Sequence, residues 1–326
     1  MTSQQARSVV IFNPVKVDED ELRASVDTYV ETYGWGEVSW VETSEDEPGE
    51  NQARQAAEEG VDLVVVCGGD GTVRSVAAGL HNTDTALGVI PQGTGNLLAR
   101  NLDIPLDLDH SVEVAYGGTT RRIDFCRADV TRPDGSTETI PFAVMAGVGI
   151  DAQMIVNTDD DLKKKIGPLA YAVAIFKSLG GGNRLHVEHQ IDDHEVKRSS
   201  AHTLIVGNCG ELVGTIELIP DAEPDDGMLD FVLLRPQDLL GWVQITGRII
   251  GQMITKSIRK VIGRSTRVTG GEHEHRSLQY ATGRSFHAKL SKPDVFEIDG
   301  DTVGEVSEFR VTLEEKALSV RVPSRE

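Results

Sequence analysis

At 326 residues and 39% hydrophobic content, with no run near the roughly 18 apolar residues that cross a bilayer, the chain reads as globular and long enough for two cores. Its formal charge of −20 excludes general nucleic-acid affinity, which needs clustered Lys and Arg, and disfavours blanket attraction to anionic membranes. Three widely spaced cysteines, Cys67, Cys126 and Cys209, and an N-terminus that leads straight into a strand predict free buried thiols in a cytoplasmic protein without a signal peptide.

The first strand is expected over residues 8–12, ending at Asn13-Pro14. Residues 18–33 carry Leu22, Val26, Tyr29 and Val30 at helical spacing, a short strand over 38–41 ends at Glu42-Thr43, and a second helix is expected over 53–59. Next comes the apolar run Leu63-Val64-Val65-Val66-Cys67, the turn Gly68-Gly69-Asp70-Gly71-Thr72, and a helix face of Val73, Val76, Ala77 and Leu80. The order then repeats: Leu87-Gly88-Val89-Ile90, the turn Pro91-Gln92-Gly93-Thr94-Gly95-Asn96, and Leu97-Leu98-Ala99-Arg100. Four β-α steps of this kind predict a doubly wound, mostly parallel α/β domain, whose ligands bind at the carboxyl edge of the sheet.

Two glycine-rich turns at that edge point to phosphate chemistry. Glycine lets an anion approach the backbone, and the following helix adds a partial positive N-terminus. Asp70 is the odd member, because a carboxylate among phosphate-facing amides repels the ligand unless a cation or hydroxyl lies between them; Mg²⁺ is the economical answer. The plain alternative is a pair of tight βα turns in which glycine relieves crowding and Asp70 caps a helix. Neither turn is a Walker A sequence, and the first is not the G-x-G-x-x-G of dinucleotide folds.

After Pro105 short alternating runs dominate, at 121–130, 142–150, 184–191, 201–207, 229–234, 265–269, 286–290, 295–298 and 311–320. With Asp-Gly turns at Asp134-Gly135, Asp226-Gly227 and Asp299-Gly300 they predict antiparallel β structure, interrupted by helices near 159–179 and 236–262. Residues 248–267 hold six Lys or Arg and no acidic residue, interleaved with aliphatic side chains. That is a basic amphipathic helix, either an ordinary surface helix or one lying near anionic headgroups. Lys163-Lys164-Lys165 reads as a solvated helix end, and His273-Glu274-His275 as a hairpin tip rather than a metal site.

Taken in order, the two glycine turns, the acidic block 220–230 and Ile298-Asp299-Gly300-Asp301 resemble the successive blocks of the bacterial diacylglycerol kinase family of soluble lipid kinases, whose catalytic core sphingosine kinases share. The resemblance implies an N-terminal NAD kinase-like α/β domain over 1–122, completed by 308–326, and a C-terminal β-sandwich over 123–307, with ATP in the interdomain cleft. Carried across by position, it implies nucleotide contacts at Asn13, Pro14, Thr43, Gly68, Gly69, Asp70, Gly71, Thr72, Val73, Arg74 and Thr94. It also implies a structural Mg²⁺ on the Glu223 carbonyl, the Asp226 carboxylate and the Met228 carbonyl; the plain alternative there is a hydrated Asp-Gly turn.

The general base that the family places in an Asp-Gly-Glu turn falls here on Asp301, shorter by one methylene, and Arg74-Ser75 replaces the common Asn-Glu. The implied activity is phosphorylation of a lipid hydroxyl by Mg-ATP, diacylglycerol first, giving phosphatidic acid, with Asp70 organising a catalytic Mg²⁺ or the acceptor hydroxyl. The alternatives are another acceptor (a sphingoid base, another lipid or NAD) and a non-catalytic nucleotide-binding membrane sensor. The lipid substrate would be met at the inner membrane surface, with peripheral contact through 248–267, and an exposed β-edge is a candidate for pairing two sandwiches into a homodimer.

Overall fold

A computed structural model describes residues 5–149, 184–213, 216–217, 219, 221–235, 274–275 and 278–324. The helices expected near 159–179 and 236–262, the strand expected at 265–269, the basic stretch 248–267, Lys163-Lys164-Lys165 and His273 lie outside the described residues. The chain divides into two compact units, one made of residues 1–125 and 314–326 and the other of residues 126–313.

The N-terminal unit follows the order β1 (Ser8–Phe12), α1 (Glu19–Tyr33), β2 (Val38–Glu42), α2 (Glu50–Glu58), β3 (Leu63–Gly68), α3 (Asp70–Leu80), β4 (Ala86–Pro91), α4 (Leu97–Asn101) and α5 (Leu108–Gly117). β1, β3 and β4 are buried along their whole length, as expected for parallel strands covered on both faces, and this is why they read as unbroken apolar runs. β2 is only half-buried and pairs with β1 alone, so it forms the edge. The parallel pairings β1·β2, β1·β3 and β3·β4 are in continuous register, so their carboxyl ends are level.

Local signals set the helix limits. Asp18 accepts the Glu21 N–H and Gly34 closes α1 in the left-handed region at φ 70°, while Asp107 accepts the His110 N–H at the start of α5. Tyr29 and Ser25 of α1 both donate to Asp109 of α5. Burial, then the Asp109 contact, push the Tyr29 phenol up to about 12.

The other unit contains β5 (Thr119–Thr131), which begins in the N-terminal unit, then β6 (Thr137–Phe142), β7 (Met145–Val148), β8 (Leu185–Ile191), β9 (Lys197–Ala201), β10 (Thr203–Gly207), β11 (Glu211–Val213), β12 (Ile216–Glu217), β13 (Leu229–Leu234), β14 (Glu274–His275), β15 (Leu278–Gly283), β16 (Ser285–Ile298) and β17 (Asp301–Val322). Its pairings are antiparallel, and the alternating burial of β8 and β16 sends one face of each into an aromatic core. This is the expected β-sandwich. Phe231 stacks on Phe286 at 4.7 Å between centroids, and Phe296 lies 4.8 Å from Phe309.

The runs read as separate strands at 286–290 and 295–298 are one strand, β16, whose register against β17 shifts between Lys289 and Asp294. From residue 314 onward β17 belongs to the N-terminal unit, where Val320 pairs in parallel with Leu87 of β4. There Arg321 donates to the Ala115 and Tyr116 carbonyls at the end of α5.

His189, an inward position of β8, is 3% exposed, stacks 5.9 Å from the Phe286 ring, and keeps Nδ1 without a hydrogen-bond partner. Burial first, then the positive charges of Arg235 and Lys197, push it down to about 4. Between that value and the ordinary 6.5 the unfolded chain holds a proton that the folded one does not, so stability rises with pH through this window and is fully present above it. The depressed value corresponds to roughly 3 kcal/mol. We therefore expect His189→Phe to flatten the stability profile between about pH 4 and 6.5 in chemical denaturation, leaving the remaining slope to the carboxylates.

Candidate nucleotide and base sites

Four neighbouring parallel strands bring the predicted nucleotide residues to one edge of the N-terminal sheet. Asn13 follows β1, Thr43 follows β2, Gly68 ends β3, and the loop with Thr94 follows β4. Asn13 donates its N–H to the Cys67 carbonyl at 3.0 Å, while its side chain accepts the Val15 N–H and its carbonyl the Lys16 N–H, which folds the first loop into a tight turn around exposed Pro14. Thr43 is buried, with its N–H on the Phe12 carbonyl at 2.9 Å. Cys67, one residue before the loop, is buried and its thiol is pushed up to about 12, so it is no nucleophile.

The two glycine turns form one construction. The Gln92 N–H reaches the Gly68 carbonyl at 2.8 Å, and the Asp70 carboxylate accepts the Asn96 N–H at 2.8 Å and the Leu97 N–H at 2.6 Å. Asp70 thus opens α3 and caps α4, so its charge has a local partner in the second turn. Asn96 sits in the left-handed region at φ 51° and clasps Gly93 twice, accepting its N–H at 2.8 Å and donating to its carbonyl at 2.9 Å. Arg100 donates to the Gly95 carbonyl at 2.8 Å.

Close approach explains the glycines. A Cβ on Gly93 would stand 2.9 Å from the Gly69 Cα, and one on Gly95 would stand 2.9 Å from the Asp70 carboxylate. Gly95→Ala therefore pushes Asp70 off its two amides. We expect it to cost about 2 kcal/mol of stability, read as a denaturation midpoint, and to weaken nucleotide binding in the same variant.

The consequence for anion binding is unequal. The N-terminus of α4 is neutralised by Asp70, with two amides of the second turn and the first amide of α4 already taken. α3 begins at Gly69 with no side-chain cap, and a Cβ on Gly69 would meet only the Gly93 Cα, at 3.6 Å. The amide end of an eleven-residue helix is thereby left sterically open, with Asp70 as its first residue turned onto the amides of Asn96 and Leu97. Gly71, Thr72 and Arg74 lie half-buried on its first turns; Val73 is buried on the core face, and its N–H is used by the Gly69 carbonyl. Thr94 is exposed at the tip of the second turn.

In the C-terminal unit Asp301 is the half-buried first residue of β17, opposite Ile298 across a two-residue turn with Asp299 at φ 49° and Gly300 at φ 88°. Both signs suit a type I′ hairpin. Asp299 is 4% exposed, and its carboxylate accepts three consecutive N–H groups, from Ala143, Val144 and Met145, at 2.9–3.0 Å. Its own N–H returns to the Met145 carbonyl.

In the acidic block Asp226 accepts the Met228 N–H at 2.9 Å, with Gly227 at φ 76° between them, while Glu223 is exposed and Met228 half-buried. The donors on offer are carboxylate and carbonyl oxygens, which suit Mg²⁺ in kind. Among the described residues no three His, Cys, Asp or Glu side chains gather as metal ligands.

The contacts of Asp299 and Asn96, both members of the sequence motifs, are visible only in the structure, and so is Asp124. The last is a fully buried carboxylate on β5 that accepts the Lys316 N–H at 2.7 Å. Its signal was faint, because β5 also carries Asp129 and three arginines, and nothing local marks Asp124 as the buried acid among them.

Comparison with known proteins adds the lineage. The profile of the diacylglycerol kinase catalytic domain matches residues 7–128, and that of the YegS C-terminal NAD kinase beta sandwich-like domain matches residues 143–277. A diacylglycerol kinase of Staphylococcus epidermidis is 26% identical over 95% of this chain and 90% of its own length, and one of Staphylococcus aureus is 25% identical over 94% and 90%.

Among solved structures, a diacylglycerol kinase of Bacillus anthracis superposes with a TM-score of 0.67 at 17% identity, over 98% of each chain. Yeast NADH kinase complexed with NADH does so at 0.52 and 12% identity, over 99% of this chain and 85% of its own. Those two likenesses speak for the fold. With both units matched by successive profiles and relatives spanning nearly the whole length, the chain belongs to a bacterial diacylglycerol kinase-like family of lipid kinases related to the NAD kinases.

Proposed function

We propose that the chain transfers the γ-phosphoryl group of Mg-ATP to a lipid hydroxyl, with diacylglycerol as the first acceptor and phosphatidic acid as the product. The observation that carries the reading is the approachable N-terminus of α3, set at the level carboxyl ends of four parallel strands and braced by the Asp70 link between the two glycine turns. Such a terminus suits a polyphosphate. Family membership supports a lipid acceptor, and the relatives named diacylglycerol kinase support diacylglycerol among lipids.

In this reading the α3 amides and the half-buried Arg74 hold phosphate oxygens, and Asn13, Thr43 and Thr94 border the nucleotide. Asp70 keeps the two turns in a single arrangement, so that the phosphates meet a preorganised backbone. Asp301 accepts the proton of the attacking hydroxyl as the new O–P bond forms and the bond to the ADP oxygen breaks. Glu223, Asp226 and Met228 are the residues that would hold a Mg²⁺ ion in the acidic block. Bound with ATP, Mg²⁺ supplies charge neutralisation at the phosphates. Catalysis would then rest chiefly on positioning and electrostatics.

A panel of acceptors tests the assignment: ADP release with diacylglycerol, ceramide, sphingosine, undecaprenol and NAD, each with wild type and Asp70→Asn. We expect diacylglycerol to stimulate release most. Stimulation by NAD alone contradicts the lipid assignment, and no stimulation by any acceptor points to a nucleotide-binding sensor. The same preparation, floated with liposomes of neutral and anionic lipid, reads peripheral membrane contact.

A further inference from the structure

We infer that Asp299 is a positioning residue that fixes Asp301, by way of the backbone of residues 143–145, in a set relation to the acidic block. The inference rests on the proposed role of Asp301 as the base. An Asp-Gly turn needs no buried carboxylate, since its dihedrals are satisfied by residue type alone. Here the carboxylate is nonetheless driven inward onto three successive amides, each a charge-assisted bond.

Those amides belong to a segment whose other polar groups are also committed. The Ala143 carbonyl accepts from Asn208 Nδ2 at 3.0 Å, and the Val144 carbonyl accepts from the N–H groups of Asn208 and Cys209. Asn208 is fully buried at the end of β10. One residue earlier, Gly207 pairs with Met145 on one side and with Asp230 on the other. Asp230 is two residues past Met228, so a continuous set of hydrogen-bonded backbone runs from the Asp301 turn through residues 143–145 to the acidic block. Every member belongs to the C-terminal unit.

The chemistry explains why this relation matters. A base must come within hydrogen-bond reach of its proton, and a misplacement of about 1 Å costs on the order of 100-fold in rate. Asp301 has the shorter acidic side chain, which leaves it less reach to correct an error in its backbone. Asp299 fixes that backbone from below. An Asn at 299 keeps one acceptor oxygen but turns an NH₂ group toward an amide that also donates, so the turn must shift.

A double-mutant cycle in the full-length protein tests the inference, with Asp301→Ala, Asp299→Asn and the pair, read as kcat and KM for ATP in the acceptor assay. We expect each single variant to lower kcat by about 100-fold with KM for ATP little changed, and the pair to be no slower than Asp301→Ala alone. Amide exchange should show lost protection at residues 143–145 in Asp299→Asn and retained protection in Asp301→Ala. Gly300→Ala, which strains the turn at φ 88° without touching the three amides, should lower kcat in the same non-additive way and covers the case in which Asp299→Asn fails to fold.

If the losses multiply in the pair, or if Asp299→Asn turns over at the wild-type rate while Asp301→Ala is impaired, the positioning role is overturned and the base reading survives. Undiminished turnover in Asp301→Ala overturns the base reading itself.

Discussion

Asp70→Asn is expected to unsettle the N-terminal unit before any substrate is added, lowering its stability by about 3 kcal/mol, and to abolish measurable ATP binding at millimolar nucleotide. The carboxylate receives the N–H groups of Asn96 and Leu97, one on each oxygen. An amide offers one oxygen and presents a donor to the second N–H, and with a Cβ-sized gap already missing at Gly95 the site has little room to rearrange. The two glycine turns then separate, and with them the surface beside the α3 terminus. Denaturation without nucleotide, followed by titration with ATP, measures both effects. If Asp70 acted only as a cation ligand, stability without nucleotide and Mg²⁺ would match wild type, so that result contradicts the bracing role.

The second large effect belongs to Asp301. Loss of a positioned general base slows proton removal by a factor of about 100 to 10,000, so on the proposed role Asp301→Ala should lose kcat on that scale with little change in KM for ATP, because the residues proposed to hold the nucleotide are in the other unit. Asp301→Glu lengthens the reach by one methylene and should keep or raise turnover. A protein that only binds nucleotide would show no turnover in any of the three forms. The contrast between Ala and Glu at one position thus separates a catalyst from a sensor.

The parts legible in the sequence are those whose cause is local. β3 and β4 announce themselves because strands covered on both faces need unbroken apolar runs, and the glycine turns announce themselves because close approach excludes a side chain. α5 has ordinary signals, with Asp107 as N-cap and Val112, Ala115 and Tyr116 buried at helical spacing, but it falls just where the pattern after Pro105 turns toward β and is masked by that change. α2 begins at Glu50 rather than at residue 53, since its polar first turn carries no periodicity to mark it.

Asp299 shows what sequence cannot display. Its turn was visible, but the amides it binds lie about 155 residues earlier, and nothing near Ala143 signals a carboxylate partner. Asp70 was visible as an anomaly, a negative charge in a phosphate loop. Its resolution lay 26 and 27 residues away, on the amides of the second turn. In both cases the structural task of the carboxylate lies with amides distant in sequence.

The most direct measurement is the fate of the terminal phosphoryl group. ATP labelled at the γ-phosphoryl, incubated with diacylglycerol in mixed micelles and then extracted into organic solvent, should deliver its label to phosphatidic acid with the wild-type protein, and about 100-fold more slowly with Asp301→Ala. Label that stays in the aqueous phase, as inorganic phosphate or on NAD, contradicts the account.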